Sequence, residues 1–198
     1  MASMLGSASL VAACGKFQPF HNEHLEYLLA AVNEGQRCVI GITNPDPSYI
    51  RHERLDPVRG LPESNPATYY ERLLMVTNSL CDAGVSRNRF EVVPFPINVP
   101  ESWLNYFPRD ALVLLTLYDD DPWLPERKAR LENNGLVTKV LWRRVRKGIS
   151  GADIRWRIAA GQPWKHLVPA ATAKIISLCG IDERIRAEGT ERPDGSRL

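Results

Sequence analysis

Short apolar runs alternate with longer amphipathic stretches along most of the chain. The runs Leu10–Cys14, Arg37–Thr43, Phe90–Pro94, Ala111–Leu117 and Val137–Trp142 are apolar at successive positions rather than at every second one. Strands that read this way are covered on both faces, which predicts a parallel sheet with crossover helices. The stretches between them predict the helices. His24–Asn33 ends before Gly35, placed as a C′ residue. Ala67–Leu80 carries Leu73, Leu74, Val76, Thr77 and Leu80 as an apolar face. Pro125–Asn133 closes at Gly135, and Gly151–Ala160 closes at Gly161 with Pro163 shortly after. A last pair, Ala170–Cys179 and Asp182–Glu188, is expected to pack on the outside. The expected fold class is α/β: a doubly wound parallel sheet of about five strands in one domain, residues 1–186, with small C-terminal helices. The polar stretch 187–198 is expected to form a flexible tail.

One segment breaks the rhythm. Asn44–Pro66 carries Pro45, Pro47, Pro57, Pro62 and Pro66 with Gly60 and little apolar content, so it predicts a long loop, and such loops in compact domains are usually functional. Composition narrows the picture further. A chain of 198 residues, 44% hydrophobic, can bury one full core. A formal net charge of +2 gives no general reason to expect nucleic acid or a membrane surface as partner. Cys14, Cys38, Cys81 and Cys179 lie far apart without a CxxC pair, which predicts buried free thiols and a reducing, cytoplasmic setting. The first residues lack the basic and apolar regions of a secretion signal, and no run approaches the roughly 20 apolar residues of a membrane span.

The candidate chemistry lies in two short segments. Gly15-Lys16-Phe17-Gln18-Pro19-Phe20-His21-Asn22-Glu23-His24 joins an expected strand to an expected helix. Two imidazoles at a helix start stand where backbone N–H groups and the helix dipole already attract phosphate. Each can donate to phosphate oxygens, which a reaction at a nucleotide α-phosphate needs as charge builds up. Plain helix capping is the alternative. Gly15 would let backbone approach a nucleotide closely, and Lys16 would add a point charge. No carboxylate or cysteine falls at a spacing that would make the two histidines a metal pair. The second segment is Lys147-Gly148-Ile149-Ser150-Gly151-Ala152-Asp153-Ile154-Arg155. Ser150 and Asp153 form a capping-box-like pair that starts a helix, and Arg155 lies one turn in, able to reach an anion at the helix mouth. An ordinary capped helix with surface arginines is the alternative. The preceding Arg143-Arg144-Val145-Arg146-Lys147 reads as a rim that draws phosphate rather than a nucleic-acid patch. No Walker lysine loop, dinucleotide glycine fingerprint or nucleophile elbow is present, so kinase, dehydrogenase and hydrolase readings lack support.

The first segment resembles the Gly-Arg-Phe-Gln-Pro-Phe-His-x-Gly-His signature of the nucleotidylyltransferase superfamily, and the second its Ile-Ser-x-Thr-x-Ile-Arg signature. Asn65-Pro66-Ala67-Thr68-Tyr69-Tyr70-Glu71-Arg72, Val93–Asn98 with Trp103, and Asp120-Asp121-Pro122-Trp123 are similar to segments of archaeal-type nicotinamide mononucleotide adenylyltransferases. The resemblance implies a Rossmann-like domain that transfers a nucleoside monophosphate to a phosphorylated acceptor and releases pyrophosphate. It implies ATP as donor, nicotinamide mononucleotide as acceptor and NAD as product, with Mg²⁺ bound through substrate phosphates. His21, His24, Lys16 and Arg155 would be catalytic, with His24 foremost. Gly15, Phe17, Gln18, Ile149, Ser150 and Gly151 would bind the nucleotide. Trp103, Asn98 and Arg72 would bind the acceptor, Trp103 as an aromatic platform, with burial in the core as its alternative. The state of assembly stays open, with a homo-oligomer among the options.

Two residues depart from the signatures. Ala152 stands in place of threonine and loses a hydroxyl, and Glu23 stands in place of glycine. A carboxylate about 5 Å from a phosphate oxygen at an effective dielectric near 20 would be repelled by roughly 3 kcal/mol. Turning outwards, sharing Mg²⁺ or pairing with an arginine would relieve this. The departures leave room for CTP as donor with another phosphate or phosphonate acceptor, and for a nucleotide sensor without turnover.

Overall fold

The computed structural model describes residues 8–46, 48, 60–121 and 123–188. Five strands, β1 (Ala8–Gly15), β2 (Gly35–Thr43), β3 (Phe90–Phe95), β4 (Leu112–Tyr118) and β5 (Val137–Arg144), form one sheet in the order β3-β2-β1-β4-β5. Every pairing is parallel. The helices are α1 (Asn22–Glu34), α2 (Tyr69–Asp82), α3 (Trp123–Asn133), α4 (Gly151–Ala159), α5 (Ala170–Leu178) and α6 (Ile181–Glu188). Strand order reverses between β1 and β4. In open α/β sheets that switch point leaves a crevice at the carboxyl ends of the strands.

Each expected strand is present, four of them extended by up to two residues at an end and the fourth in chain order shifted by one residue to Leu112–Tyr118. The continuous apolar runs have the expected cause, because successive side chains of β1 enter different cores. Val11 and Ala13 pack with Leu28, Met75, Ile154, Ile158, Ile176 and Ile185 on one face. Ala12 and Cys14 pack with Phe95, Trp103, Phe107, Leu115 and Leu131 on the other. We call these the first and second faces. The first is closed by α1, α2 and the C-terminal helices, the second by α3 and the short helical turn Pro100–Asn105.

Several details differ from expectation. Gly35 is no left-handed cap: its φ of −139° and ψ of 171° make it the first residue of β2. A Cβ there would lie 2.8 Å from Val11 Cγ1, so the glycine serves close approach of the chain to β1. The buried stripe of α2 is Arg72, Met75, Val76, Ser79 and Leu80, whereas Leu73 and Leu74 are only partly covered. The capping box of Thr68 and Glu71 sets the helix start, and α5 covers the Ser79 side through a 3.3 Å contact between the Ser79 and Thr172 hydroxyls. The last two helices are more than outer decoration, since Ile175, Ile176, Ile181 and Ile185 belong to the first core. All four cysteines are free, but Cys81 and Cys179 are exposed because they fall at helix ends. Helix α6 runs to Glu188, so the first two residues of the expected tail are helical, and residues 189–198 lie outside the described residues. Of the long proline-rich loop, Pro62–Ser64 forms a helical turn, while Pro47 and residues 49–59 lie outside the described residues. No helix among the described residues is long and apolar enough to cross a membrane.

Candidate active site

A cleft of about 410 Å³ opens at the switch point, bordered by the ends of β1, β4 and β5 and the starts of α1 and α4. Its first wall is the Gly15–His24 turn. A Cβ on Gly15 would lie 2.2 Å from the Phe17 ring, so only glycine fits. Phe17 takes a left-handed φ of 53° and its fully buried ring meets His24 edge-on at 5.0 Å. Phe17 thus borders the cleft mainly as a support for His24, one face of which also stacks on Phe20 at 5.8 Å.

His21 is the N-cap of α1 and His24 its third residue, with ring centroids 3.5 Å apart. The His21 backbone N–H donates to His24 Nδ1 at 3.3 Å. With Nδ1 accepting, the proton of a neutral His24 ring sits on Nε2. Burial holds both histidines neutral: His21 is lowered to about 3, with Lys147 adding to the effect, and His24 is pushed well below its ordinary value. Two neutral imidazoles therefore stand at the positive end of a helix.

The second wall is the start of α4. Ser150 is its N-cap, with Oγ accepting from the Asp153 N–H at 3.0 Å. The Asp153 carboxylate does not return the bond, because it pairs with Arg157 at 2.9 Å. The expected box is therefore half made. Arg155 is buried, donates from Nη1 to the Gln18 carbonyl at 2.7 Å, and is lowered to about 10 by that burial. A Cβ on Gly151 would come within 2.4 Å of the same Gln18 carbonyl oxygen. The two sequence signatures thus touch, and glycine lets them do so. Ile149, Ala152 and Lys16 also border the cleft.

Glu23 joins the walls a second time. Its Oε1 accepts the Gly148 N–H at 2.9 Å, so the carboxylate neither turns outwards nor takes an arginine. Beside it, Lys147 pairs with Asp121 at 2.9 Å and stands over the Tyr118 ring. Arg144 pairs with Glu26 at 2.8 Å and covers Trp142. Much of the basic run is therefore engaged in ion pairs at the rim.

Four expected ligand contacts are corrected by placement. The Gln18 side chain is consumed by Ala67, donating from Nε2 to its carbonyl at 2.7 Å and accepting its N–H at 3.0 Å. Arg72 is fully buried and donates to the carbonyls of Lys16, Thr43, Asn44 and Thr68, so it ties the loops together instead of meeting an acceptor. Trp103 is 3% exposed, donates from Nε1 to the Pro96 carbonyl at 2.9 Å and packs on Phe95 in the second core. Asn98 accepts from Arg130 at 3.1 Å, and neither it nor Trp103 borders the cleft. The Trp123 side chain, from the segment similar to the adenylyltransferases, lies outside the described side chains. Conversely, Tyr27, Thr116, Tyr118, Arg127 and Trp142 line the cleft without having been singled out. Thr116, Tyr118 and Trp142 stand near the carboxyl ends of β4 and β5, Tyr27 on α1, and Arg127 on α3, so what they share is the end of the sheet they face.

Among the described residues no group of three His, Cys, Asp or Glu side chains could hold a metal ion. The carboxylates at the cleft, Glu23 and Asp121, are engaged by Gly148 and Lys147. Among the described residues the cleft thus brings together no ligand set for Mg²⁺.

An open parallel sheet at whose switch point two helix starts meet, together with the two signatures those starts carry, marks the class of the nucleotidyltransferases. The chain belongs to the cytidylyltransferase-like family, which it matches over residues 12–157. It is 53% identical over 173 residues to the phosphonoformate cytidylyltransferase of Streptomyces viridochromogenes, spanning 87% of this chain and 93% of that relative. The nicotinamide-nucleotide adenylyltransferase of Methanolobus tindarius is 29% identical, over 82% of this chain and 84% of the relative. Among solved structures, a bifunctional NMN adenylyltransferase/ADP ribose pyrophosphatase from Francisella tularensis, complexed with AMP and a manganese ion, superposes with a TM-score of 0.60 at 13% identity. That likeness covers 91% of this chain and 52% of the bifunctional one, and it concerns the fold. The protein is an enzyme whose substrates are a nucleoside triphosphate and a phosphorylated acceptor.

Proposed function

We propose that the enzyme transfers a cytidylyl group from CTP to phosphonoformate or a closely similar small phosphonate and releases pyrophosphate. One observation carries the reading: the residue expected to hold an aromatic acceptor ring, Trp103, is packed in the second core. The aromatic side chains that do border the cleft near α4, Tyr118 and Trp142, end β4 and β5 and suit the donor's base. A cleft of about 410 Å³ stands toward the low end of the roughly 300–1,000 Å³ typical of small-molecule sites, which favours one nucleotide with a small acceptor over two nucleotides. The relative with 53% identity acts, by its name, on phosphonoformate, whereas the adenylyltransferase relatives share under 30%.

The chemistry asks little of a general base, because the acceptor phosphonate arrives as an anion. One of its oxygens forms a bond to the α-phosphorus, the α–β bridging P–O bond breaks, and pyrophosphate leaves with the electron pair. His21 and His24 would donate to α- and β-phosphate oxygens, His24 through its Nε2–H. Lys16, the N-terminus of α4 behind Ser150, and Arg155 hold the remaining charge. Burial of both imidazoles favours neutral donors in the free enzyme, and a bound triphosphate adds charge that favours their protonation. Any Mg²⁺ would come in on the triphosphate and neutralise its charge.

Pyrophosphate release measured with each of four nucleoside triphosphates, with phosphonoformate or nicotinamide mononucleotide as acceptor, tests the reading. Turnover is expected with CTP and phosphonoformate, and NAD formation at a comparable rate would overturn it. His24→Ala is expected to lower kcat by about 10²–10³-fold with the fold retained.

A further inference from the structure

The second face of the cleft holds a cation that neither signature explains. Arg127, on the second turn of α3, reaches the end of β1, where its Nη2 donates to the Cys14 carbonyl at 3.1 Å. Its Nε is shielded from water and has no partner, and the same holds for Oγ1 of Thr116 on β4. Both residues border the cleft. The charge of Arg127 also acts on the buried Cys14 thiol and Tyr27 hydroxyl, which places it at the base of the switch point. Other shielded polar atoms lack partners elsewhere in the fold, but these two stand at the cleft, where a bound ligand would complete them.

The placement of Arg127 relative to the phosphate cradle gives it a role. His21, His24, Ser150 and Arg155 come from the starts of α1 and α4, whose buried residues Leu28, Ile154 and Ile158 belong to the first core. Arg127 comes from α3, whose Leu131 packs in the second core beside Cys14. In phosphoryl-type transfer the attacking and leaving oxygens stand roughly in line. With pyrophosphate held on the first face, the acceptor must enter from the second. A guanidinium there offers paired N–H groups that match a carboxylate, and the Thr116 hydroxyl on the same cleft offers a further donor. In phosphonoformate a carboxylate is bonded directly to the phosphonate phosphorus, so an anchor for one places the other.

We infer that Arg127, with Thr116 also lining the cleft, is the acceptor anchor: the guanidinium holds the carboxylate of a small phosphonate acceptor and turns the phosphonate oxygen toward the α-phosphorus. The inference rests on the proposed class of substrate and adds the residue that selects it.

The test compares phosphonoformate with methylphosphonate, which lacks the carboxylate, at saturating CTP. The wild type is expected to prefer phosphonoformate strongly. Arg127→Ala is expected to raise the phosphonoformate KM by about 30-fold or more and to bring the preference toward one, in line with loss of a charged hydrogen bond. The KM for CTP and the inhibition by pyrophosphate should stay within about threefold, because those ligands use the first face. Arg127→Lys, which keeps the charge without the fork, should fall between, and it serves as the readout if the alanine variant fails to fold. Thr116→Val should shift only the acceptor KM, by a smaller factor. An unchanged preference, or an effect that falls on CTP or pyrophosphate instead, overturns the anchor. Should the wild type form NAD from nicotinamide mononucleotide and ignore phosphonoformate, the substrate reading falls separately. Arg127→Ala is then read against nicotinamide mononucleotide: an unchanged KM overturns the anchor too, and a raised one keeps it as the holder of the acceptor's anion.

Discussion

Replacing Glu23 by glycine restores the residue found in the family signature, and the structure says what that should cost. Oε1 accepts the Gly148 N–H at 2.9 Å. A hydrogen bond to a charged group contributes about 1.5–3 kcal/mol when shielded, but this one is exposed, so about 1 kcal/mol is the better figure. Glycine in the first turn of α1 costs about 0.5–1 kcal/mol more, and losing an acid at a helix N-terminus about 0.3–1. The sum is about 2 kcal/mol, or roughly 4–8 °C in Tm for a chain of this size. Glu23→Gln keeps an acceptor oxygen and should lose less than half of that. A thermal unfolding series followed by circular dichroism reads the order wild type, Gln, Gly. Gly148→Ala isolates the bond, because a Cβ there would lie 2.5 Å from Oε1 and push the flexible carboxylate away. In a double-mutant cycle Gly148→Ala should cost about 1 kcal/mol more in the wild type than in the Glu23→Gly background. Equal cost in both backgrounds would refute the link between the two motifs.

Three further outcomes are expected. Trp103→Phe should lower stability by about 1–2 kcal/mol, since the Pro96 carbonyl loses its donor, yet leave the acceptor KM within about twofold; a tenfold rise in steady-state assays would return Trp103 to the site. Arg72→Met should lower the urea midpoint by the equivalent of at least about 3 kcal/mol, because the Lys16, Thr43 and Asn44 carbonyls lose a shared donor; a small loss would mean that solvent replaces it. With His21 lowered to about 3 and an unfolded value near 6.5, the unfolded chain takes up a proton between these limits that the folded chain refuses. Stability should therefore fall as pH drops through that window, by about 2 kcal/mol from this group at pH 5, and His21→Asn should flatten the decline in Tm between about pH 7.5 and pH 5.

What could be foreseen from the chain follows a physical divide between local and long-range causes. The strands were legible because burial on two faces leaves a mark inside each run: Val11 and Ala13 feed one core, Ala12 and Cys14 the other. The two helix starts that border the cleft were legible for a similar reason. His21 with His24, and Ser150 with Asp153, act through the backbone of their own helix starts, so their spacing alone carries the geometry. The acceptor side had no such mark. Whether Trp103 faces a ligand or Phe95 depends on the Pro96 turn, and whether Arg72 meets an anion or four carbonyls depends on loops that only the fold assembles.

Arg127 is the converse case. In the polar run Glu126-Arg127-Lys128-Ala129-Arg130 it looks like its neighbours, and the reach to Cys14 across the sheet edge sets it apart. The same divide explains why the family chemistry is easier to recognise than the acceptor. The proposed donor contacts lie on contiguous backbone, whereas the proposed acceptor contacts come from α3, β4 and the end of β1, where a substitution would change the substrate and leave both signatures intact.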